Sequence, residues 1–391
     1  MSNALMPLYN RLPIALDHGK GVWLGDTEGK RYLDAASGIG VNALGHAHPA
    51  LLTTITAQAA KLIHCSNVYT IPAQQHLAED LVRLATMEEA YFCNSGAEAN
   101  ETAIKLARLY GHKQGYTNPA IVVTENSFHG RTLATLSASG NRKIQAGFEP
   151  LVSGFIRAPY NDLNTLEAIA KHSKEIVAIL IEPILGNAGI ILPDTNYLDG
   201  IRKLCDKYNW LMMLDEIQTG IGRTGKFYSY QHTTILPDVV TSAKALANGI
   251  PIAACLTRDK ANKVLVGEKH GSTFGGSPFA CEVARTVLRT IEQESLMDNA
   301  AKQGDYLMAQ LREKLSSQVG VVAIRGKGLM IGIELDRPAR PLLFNALEQG
   351  LLLNITAEKV IRLLPPLIIT REEIDELVER LGRCLKAFYA S

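Results

Sequence analysis

Four short apolar runs in this 391-residue chain each lead into side chains able to do chemistry. "AIVVT" (120–124) leads into "ENSFHGRT", which carries an aromatic ring, Phe128, and a guanidinium, Arg131. "IVAILI" (176–181) leads into Glu182-Pro183, and "WLMML" (210–214) into Asp215-Glu216-Ile217-Gln218. "DVVTS" (238–242) leads into Ala243-Lys244, after which the next charged residue is Arg258. A carboxylate ending a buried strand must be paired or take up a proton. A lysine among small, apolar neighbours has its charged form disfavoured, which leaves more neutral amine to act as a nucleophile, and lysine nucleophiles form Schiff bases. Taken singly, Asp215 could be a helix cap or an ion-pair partner and Lys244 a solvated surface charge.

A third feature joins these two. "NSGAEANE" (94–101) is a small-residue turn entering a helical pattern, so Ser95, Gly96 and Ala97 present N–H groups at a helix amino terminus. That is a ready site for a phosphate, although alone it also reads as an ordinary Ser or Asn cap. A phosphate site, a Schiff-base lysine and an aspartate to hold a pyridinium nitrogen together describe one cofactor, pyridoxal 5'-phosphate. "GIGRTG" (220–225) matches a dinucleotide-binding pattern but lacks its context. It does not leave a strand directly, two acids precede it, and "KFYSYQH" is a poor helix, so it reads as a glycine-rich turn.

The elements that position these residues alternate. The apolar runs are short, continuous and rich in branched residues, as strands buried on both faces are. Between them, 96–113 and 196–209 carry apolar residues at helical spacing, which argues α/β with a mostly parallel sheet covered by helices. In an open α/β sheet, ligands bind beyond the carboxyl ends of the strands, so the residues above share one rim. The last third differs. Residues 296–315 read as a helix, 325–335 as one strand, and 370–388 as a helix opened by a Thr370/Glu373 capping box. This region is expected to form a smaller α+β domain beside the main sheet.

Composition excludes other classes. With 40 Lys and Arg against 39 Asp and Glu the net charge is +1, and no basic stripe supports nucleic-acid or membrane-surface binding. No apolar run approaches the roughly 18 residues a membrane span requires, and "MSNALMPLYNRLPIALDHGKG" has no continuous apolar core of a signal peptide. Six scattered cysteines without a C-x-x-C pair read as core residues in a reducing compartment, with no metal site, so a cytoplasmic location is expected.

Seven blocks in order resemble the class III aminotransferases of the fold-type I pyridoxal-phosphate enzymes: 21–49, "FCNSGAEANETAIKLAR" (92–108), "SFHGRT" (127–132), "LDEIQTGIGRTG" (214–225), "TSAKALANGIPI" (241–252), "HGSTFGGSPFAC" (270–281) and "EKVIRLLPPL" (358–367). The resemblance implies a large domain, 51–284, and a small one built from 1–50 and 285–391. It implies that Lys244 holds the cofactor and shifts the substrate proton, and that Asp215 pairs with the ring nitrogen. Phe128 would stack on the ring, Glu216, Ile217 and Gln218 would lie beside the cofactor, and Ser95, Gly96 and Ala97 would hold its phosphate. Thr273 would reach the phosphate of a neighbouring subunit in a homodimer with shared sites, with Ser272 and Tyr9 near the substrate. Within the family the chain is most similar to members that move the ω-amine of N2-acetylornithine to 2-oxoglutarate, giving glutamate, in arginine biosynthesis. Arg131 would bind the distal carboxylate and Arg362 the α-carboxylate of glutamate, with Glu182 pairing with Arg362 when no carboxylate is there. Succinylornithine, ornithine, succinyl-diaminopimelate and γ-aminobutyrate transaminases, and a glutamate-1-semialdehyde aminomutase, are the alternatives. One stretch departs from the family pattern. After Glu182-Pro183 the family commonly has a Gln, an acid and a double glycine, where this chain has "ILGNAGI" with Leu185, Asn187 and Ala188.

Overall fold

The computed structural model describes residues 4–390. Residues 1–3 and 391, which begin and end the expected small domain and include the start of the segment read for a leader, lie outside it. Near the amino terminus β1 (Leu16–Lys20), β2 (Trp23–Asp26) and β3 (Arg31–Asp34) form an antiparallel meander. The helices Pro49–Lys61 and Pro72–Ala85 follow, each with proline in its first turn, where its missing N–H leaves no bond unmade.

The central sheet has seven strands: β4 (Glu89–Cys93), β5 (Ala120–Thr124), β6 (Phe155–Ala158), β7 (Ile176–Ile181), β8 (Leu211–Asp215), β9 (Val239–Ser242) and β10 (Ala253–Thr257). Their order is β4-β10-β9-β8-β7-β5-β6, and only β10 pairs antiparallel, with β4 and β9. β5, β7 and β8 are buried at every position, which is why they read as continuous apolar runs. The helix Gly96–Lys113 begins where the sequence places it. Ser95 caps it, its hydroxyl accepting from the N–H of Glu98. It packs Ala103, Leu106 and Ala107 toward the sheet.

The carboxyl-terminal third begins with the helices Pro278–Gln293 and Leu296–Leu315. It continues with β11 (Val321–Lys327), β12 (Met330–Leu335), β13 (Leu351–Leu352), β14 (Asn354–Thr356) and β15 (Val360–Leu363), and closes with the helix Arg371–Ala390. β13 pairs with β3, so strands from both ends of the chain share one small sheet. The Thr370/Glu373 box is present, with Thr370 N–H donating to Glu373 and Glu373 N–H to Thr370. The single strand expected at 325–335 is instead the turn of a hairpin. Gly328 has φ +55 and splits it into β11 and β12. The close approach of Thr224 is the second reason for glycine, since a Cβ there would lie 2.6 Å from the Thr224 carbonyl carbon.

Candidate active site

A cavity of about 390 Å³ opens where β5, β7, β8 and β9 end, a volume suited to a small-molecule ligand. Its wall includes Ser95, Gly96, Ala97, Phe128, Arg131, Glu182, Asp215, Ile217, Gln218 and Lys244. Topology alone brings Asp215 and Lys244 together. β8 and β9 run parallel with Asp215 opposite Thr241, three residues before the lysine. Lys244 itself has φ +44 as the chain leaves the strand for a short 3-10 turn, Lys244–Ala247. Burial and then the positive charge of Arg362 lower its amine to about pKa 8, against the pull of Asp215 and Glu182. Such an amine is partly neutral near pH 8, as a nucleophile needs to be.

Asp215 is braced from beneath. One oxygen accepts from His129 Nδ1 at 2.8 Å and from Asn100 Nδ2 at 2.8 Å, and the other from the Ile217 N–H at 3.1 Å. Asn100 is fixed in turn, accepting from Thr241 Oγ1 at 2.7 Å and donating to the His129 carbonyl at 2.8 Å. His129 and Asn100 lie inside motifs read from the sequence, yet nothing in their spacing marks them as supports of Asp215. Asn100 lies inside the helix Gly96–Lys113 and His129 in the loop after β5, so no local sequence signal points from either to Asp215.

The helix Gly96–Lys113 aims its amino terminus at the same cavity. A Cβ on Gly96 would meet the Ile217 side chain at 2.8 Å, so glycine lets the helix start lie against this wall. Among the described residues the Gly96 and Ala97 amides make no hydrogen bond, which leaves two donors at the positive end of the helix. Paired N–H donors, an amine of lowered pKa and a braced carboxylate fit pyridoxal phosphate.

Arg131 is exposed at the cavity mouth, its guanidinium 5.8 Å from the Phe128 ring centroid. Arg362, on β15, does not line the cavity. It sits behind two residues that do, donating to Asn187 Oδ1 at 2.7 Å and Gln218 Oε1 at 3.2 Å. Nε and Nη2 both donate to Asn354 Oδ1, at 2.9 and 2.7 Å. Burial lowers its pKa to about 10, partly offset by the attraction of Glu182.

Several expected positions differ. No Glu182–Arg362 ion pair forms among the described residues, because the Glu182 oxygens already accept from the N–H of Phe128 at 2.8 Å and of Gly186 at 3.1 Å. Burial and then Asp215 push the Glu182 carboxyl up. Glu216 turns away from the cavity into the core, where a buried carboxylate must find donors. It accepts from the Thr219 hydroxyl and from the N–H groups of Ser229 at 3.0 Å and Tyr230 at 2.9 Å. Ser272 and Tyr9 lie outside the cavity wall of their own chain, Tyr9 at 76% exposure, and so does Thr273, the residue expected to serve the site of a neighbouring subunit. Ser272 is tied to the wall by accepting from Asn94 Nδ2 at 3.0 Å.

A family model, Aminotransferase class-III, matches residues 6–385. The chain belongs to the class-III aminotransferases. It is 51% identical to an acetylornithine aminotransferase of Nitrosomonas europaea over 99% of this chain and 98% of that one. Among solved structures it resembles an acetylornithine aminotransferase from Elizabethkingia anophelis, with a TM-score of 0.89, 36% identity, and coverage of 98% and 96% of the two chains. It also resembles an ornithine aminotransferase from Toxoplasma gondii with pyridoxal phosphate at partial occupancy in its active site (TM-score 0.93, 31% identity, coverage 97% and 92%). This class-III aminotransferase is therefore a pyridoxal-phosphate enzyme of the fold-type I architecture acting on small molecules. No helix among its described residues is long and apolar enough to cross a membrane.

Proposed function

We propose that this class-III aminotransferase moves the ω-amino group of N2-acetyl-L-ornithine to 2-oxoglutarate, giving N-acetylglutamate 5-semialdehyde and L-glutamate, in arginine biosynthesis. The observation that carries the reading is a pair of guanidinium groups, Arg131 at the mouth and Arg362 behind the wall, serving one cavity that holds Lys244 and Asp215. A dicarboxylate acceptor has a charged group for each. The full-length likeness to a relative named for acetylornithine supports the donor.

Pyridoxal phosphate, when bound, supplies an electron-withdrawing ring that stabilises negative charge on a carbon losing its proton. The chain's own residues do the rest. Gly96 and Ala97 would hold the phosphate with their N–H groups, and Phe128 would lie against the ring. Asp215, braced by His129 and Asn100, would hold a proton at the ring nitrogen. Lys244 would anchor the cofactor and move the proton at the amine-bearing carbon of the substrate. Arg131 would orient the distal carboxylate through its planar guanidinium.

The homodimer with shared sites is part of this proposal. Ser272 and Thr273 lie outside their own cavity, on a segment that Asn67 Nδ2 joins through the Ser272 carbonyl at 3.2 Å. Val68, Tyr69 and Phe274 are exposed there at 79%, 69% and 65%, an apolar surface that a second copy would cover. The pairing of β3 with β13 supports the division into 51–284 and 1–50 with 285–391. The six unpaired cysteines, five of them buried, suit a reducing cytoplasm.

The test is a panel of amino donors against 2-oxoglutarate, compared by kcat/KM. N2-acetylornithine is expected to lead. Ornithine or γ-aminobutyrate exceeding it by more than about tenfold, ~1.4 kcal/mol, would end the substrate reading. Turnover without 2-oxoglutarate would indicate the aminomutase instead. Sedimentation as a monomer would remove the shared site.

A further inference from the structure

The structure assigns Asn187 as the residue that sets the balance between the two half-reactions, by holding Arg362 with a neutral amide where a carboxylate would cancel its charge. This deepens the proposed function and rests on it for the identity of the dicarboxylate.

Arg362 is 3% exposed, and every hydrogen-bond acceptor it meets is an uncharged amide oxygen: Asn354, Asn187 and Gln218. A guanidinium so deep in the protein would normally be paired. The carboxylate whose attraction it feels is Glu182, but both Glu182 oxygens are occupied by backbone N–H groups. The positive charge is therefore largely uncompensated by contact. Asn187 and Gln218 stand between it and the cavity, since both line the wall.

Asn187 is well fixed for this role. Its carbonyl accepts from Thr356 Oγ1 at 2.6 Å, and Leu185 and Ile191 form an antiparallel bridge across the base of the loop. Arg325 anchors the far side of the loop through the carbonyls of Gly189 and Ile190. The side-chain oxygen is thus held against Arg362 by a loop that is tied down on three sides.

The consequence follows from charge. A substrate bringing a carboxylate to the reacting carbon has only to displace neutral amides, and exchanges them for a charge-assisted bidentate pair. An ω-amine brings no such group, and Arg362 then keeps its buried charge without a counter-ion. Asn187 therefore tilts the enzyme toward glutamate and 2-oxoglutarate. An acid at 187 would neutralise Arg362, favouring the ω-amine and obstructing the dicarboxylate.

The experiment measures the two half-reactions separately on holoenzyme, by single-turnover absorbance with L-glutamate and with N2-acetylornithine. Glutarate, which has two carboxylates and no reacting carbon, is titrated in parallel by calorimetry. Asn187→Asp keeps the side-chain shape, Asn187→Glu provides a second length, and Asn187→Ala removes the amide without adding charge. The expected result is that each acid weakens glutarate binding about tenfold. Each acid should also lower kcat/KM for glutamate relative to that for the ω-amine by a similar factor, while Asn187→Ala shifts the ratio less than about threefold. Equal loss in both half-reactions, an unchanged ratio, or the same shift in the alanine variant overturns the assignment. Wild-type enzyme that fails to react with glutamate overturns the transaminase reading itself, whatever the variants do. If another ω-amine proves the better donor, the ratio is read with that amine.

Discussion

Asp215 and Arg362 are almost equally buried, at 4% and 3% exposure, yet the chain holds them in opposite ways. Asp215 ends a strand inside the sheet, and its supports knit several elements together: His129 on the loop after β5, the Ile217 N–H just past β8, Asn100 on the helix Gly96–Lys113, and Thr241 on β9 behind Asn100. Arg362 lies on β15, and its supports are three amides, one on the adjacent strand and two on loops. A group that must keep one position throughout a reaction gains from a stiff network. A group that must accept and release a carboxylate gains from partners that are easily exchanged. On the proposed function, the contrast would be that between a fixed electrostatic support and a reusable receptor.

The largest effect that tests this contrast is at Lys244, whose amine feels both charges. Lys244→Ala should reduce turnover by at least about 10²–10⁴-fold, the range for a positioned acid–base group, with KM for 2-oxoglutarate moved far less. Retention of a tenth of wild-type turnover would displace Lys244 from the chemistry. On the stiff side, Asn100→Ala removes a hydrogen bond to a charged group and should lower kcat by about 10–100-fold in both half-reactions. On the exchangeable side, Asn354→Ala should raise KM for 2-oxoglutarate by about threefold to tenfold and leave kcat nearly unchanged. If the two variants show the same pattern, the contrast is broken.

The pH dependence sharpens the lysine further. Because the Lys244 amine is lowered to about pKa 8, its nucleophilic fraction grows as pH rises through that value. The rate at which cofactor-free enzyme takes up pyridoxal phosphate should rise with pH and level off above about 8; a rise continuing to pH 10.5 would show an unperturbed lysine. The smallest effect concerns Glu216, whose carboxyl burial raises to about 7 from 4.5. Between those values the folded protein holds a proton that the unfolded chain has lost, so this group's contribution to stability falls as pH rises from 4.5 to 7. Glu216→Gln should make the decline of Tm across that window shallower, by about 2 °C. An identical slope would place Glu216 in contact with solvent.

Much of the site was legible because it obeys local rules. Lys244, Asp215 and the turn at 95–97 follow buried runs or open a helix, and strand ends in a parallel sheet share a rim whatever connects them. The absence of a Glu182–Arg362 pair and the inward turn of Glu216 are not legible from spacing, because both turn on hydrogen bonds to backbone N–H groups. Glu216 follows Asp215 directly, and successive side chains leaving a strand point to opposite sides, so only one of the two could face the cavity.

The sequence by itself determined the α/β alternation, the helix starts at Gly96 and Arg371, the caps at Ser95 and Thr370, and which strand ends carry reactive groups. Each depends on residues within a few positions of one another. Only the tertiary structure decided what Arg362 touches, how Asp215 is braced, and that 325–335 doubles back at Gly328. Asn187 and Arg362 stand 175 positions apart, and His129 and Asp215 stand 86 apart. A buried polar group takes whichever partner the packed chain brings within about 3 Å, and that choice is made by the fold as a whole rather than by its neighbours in sequence.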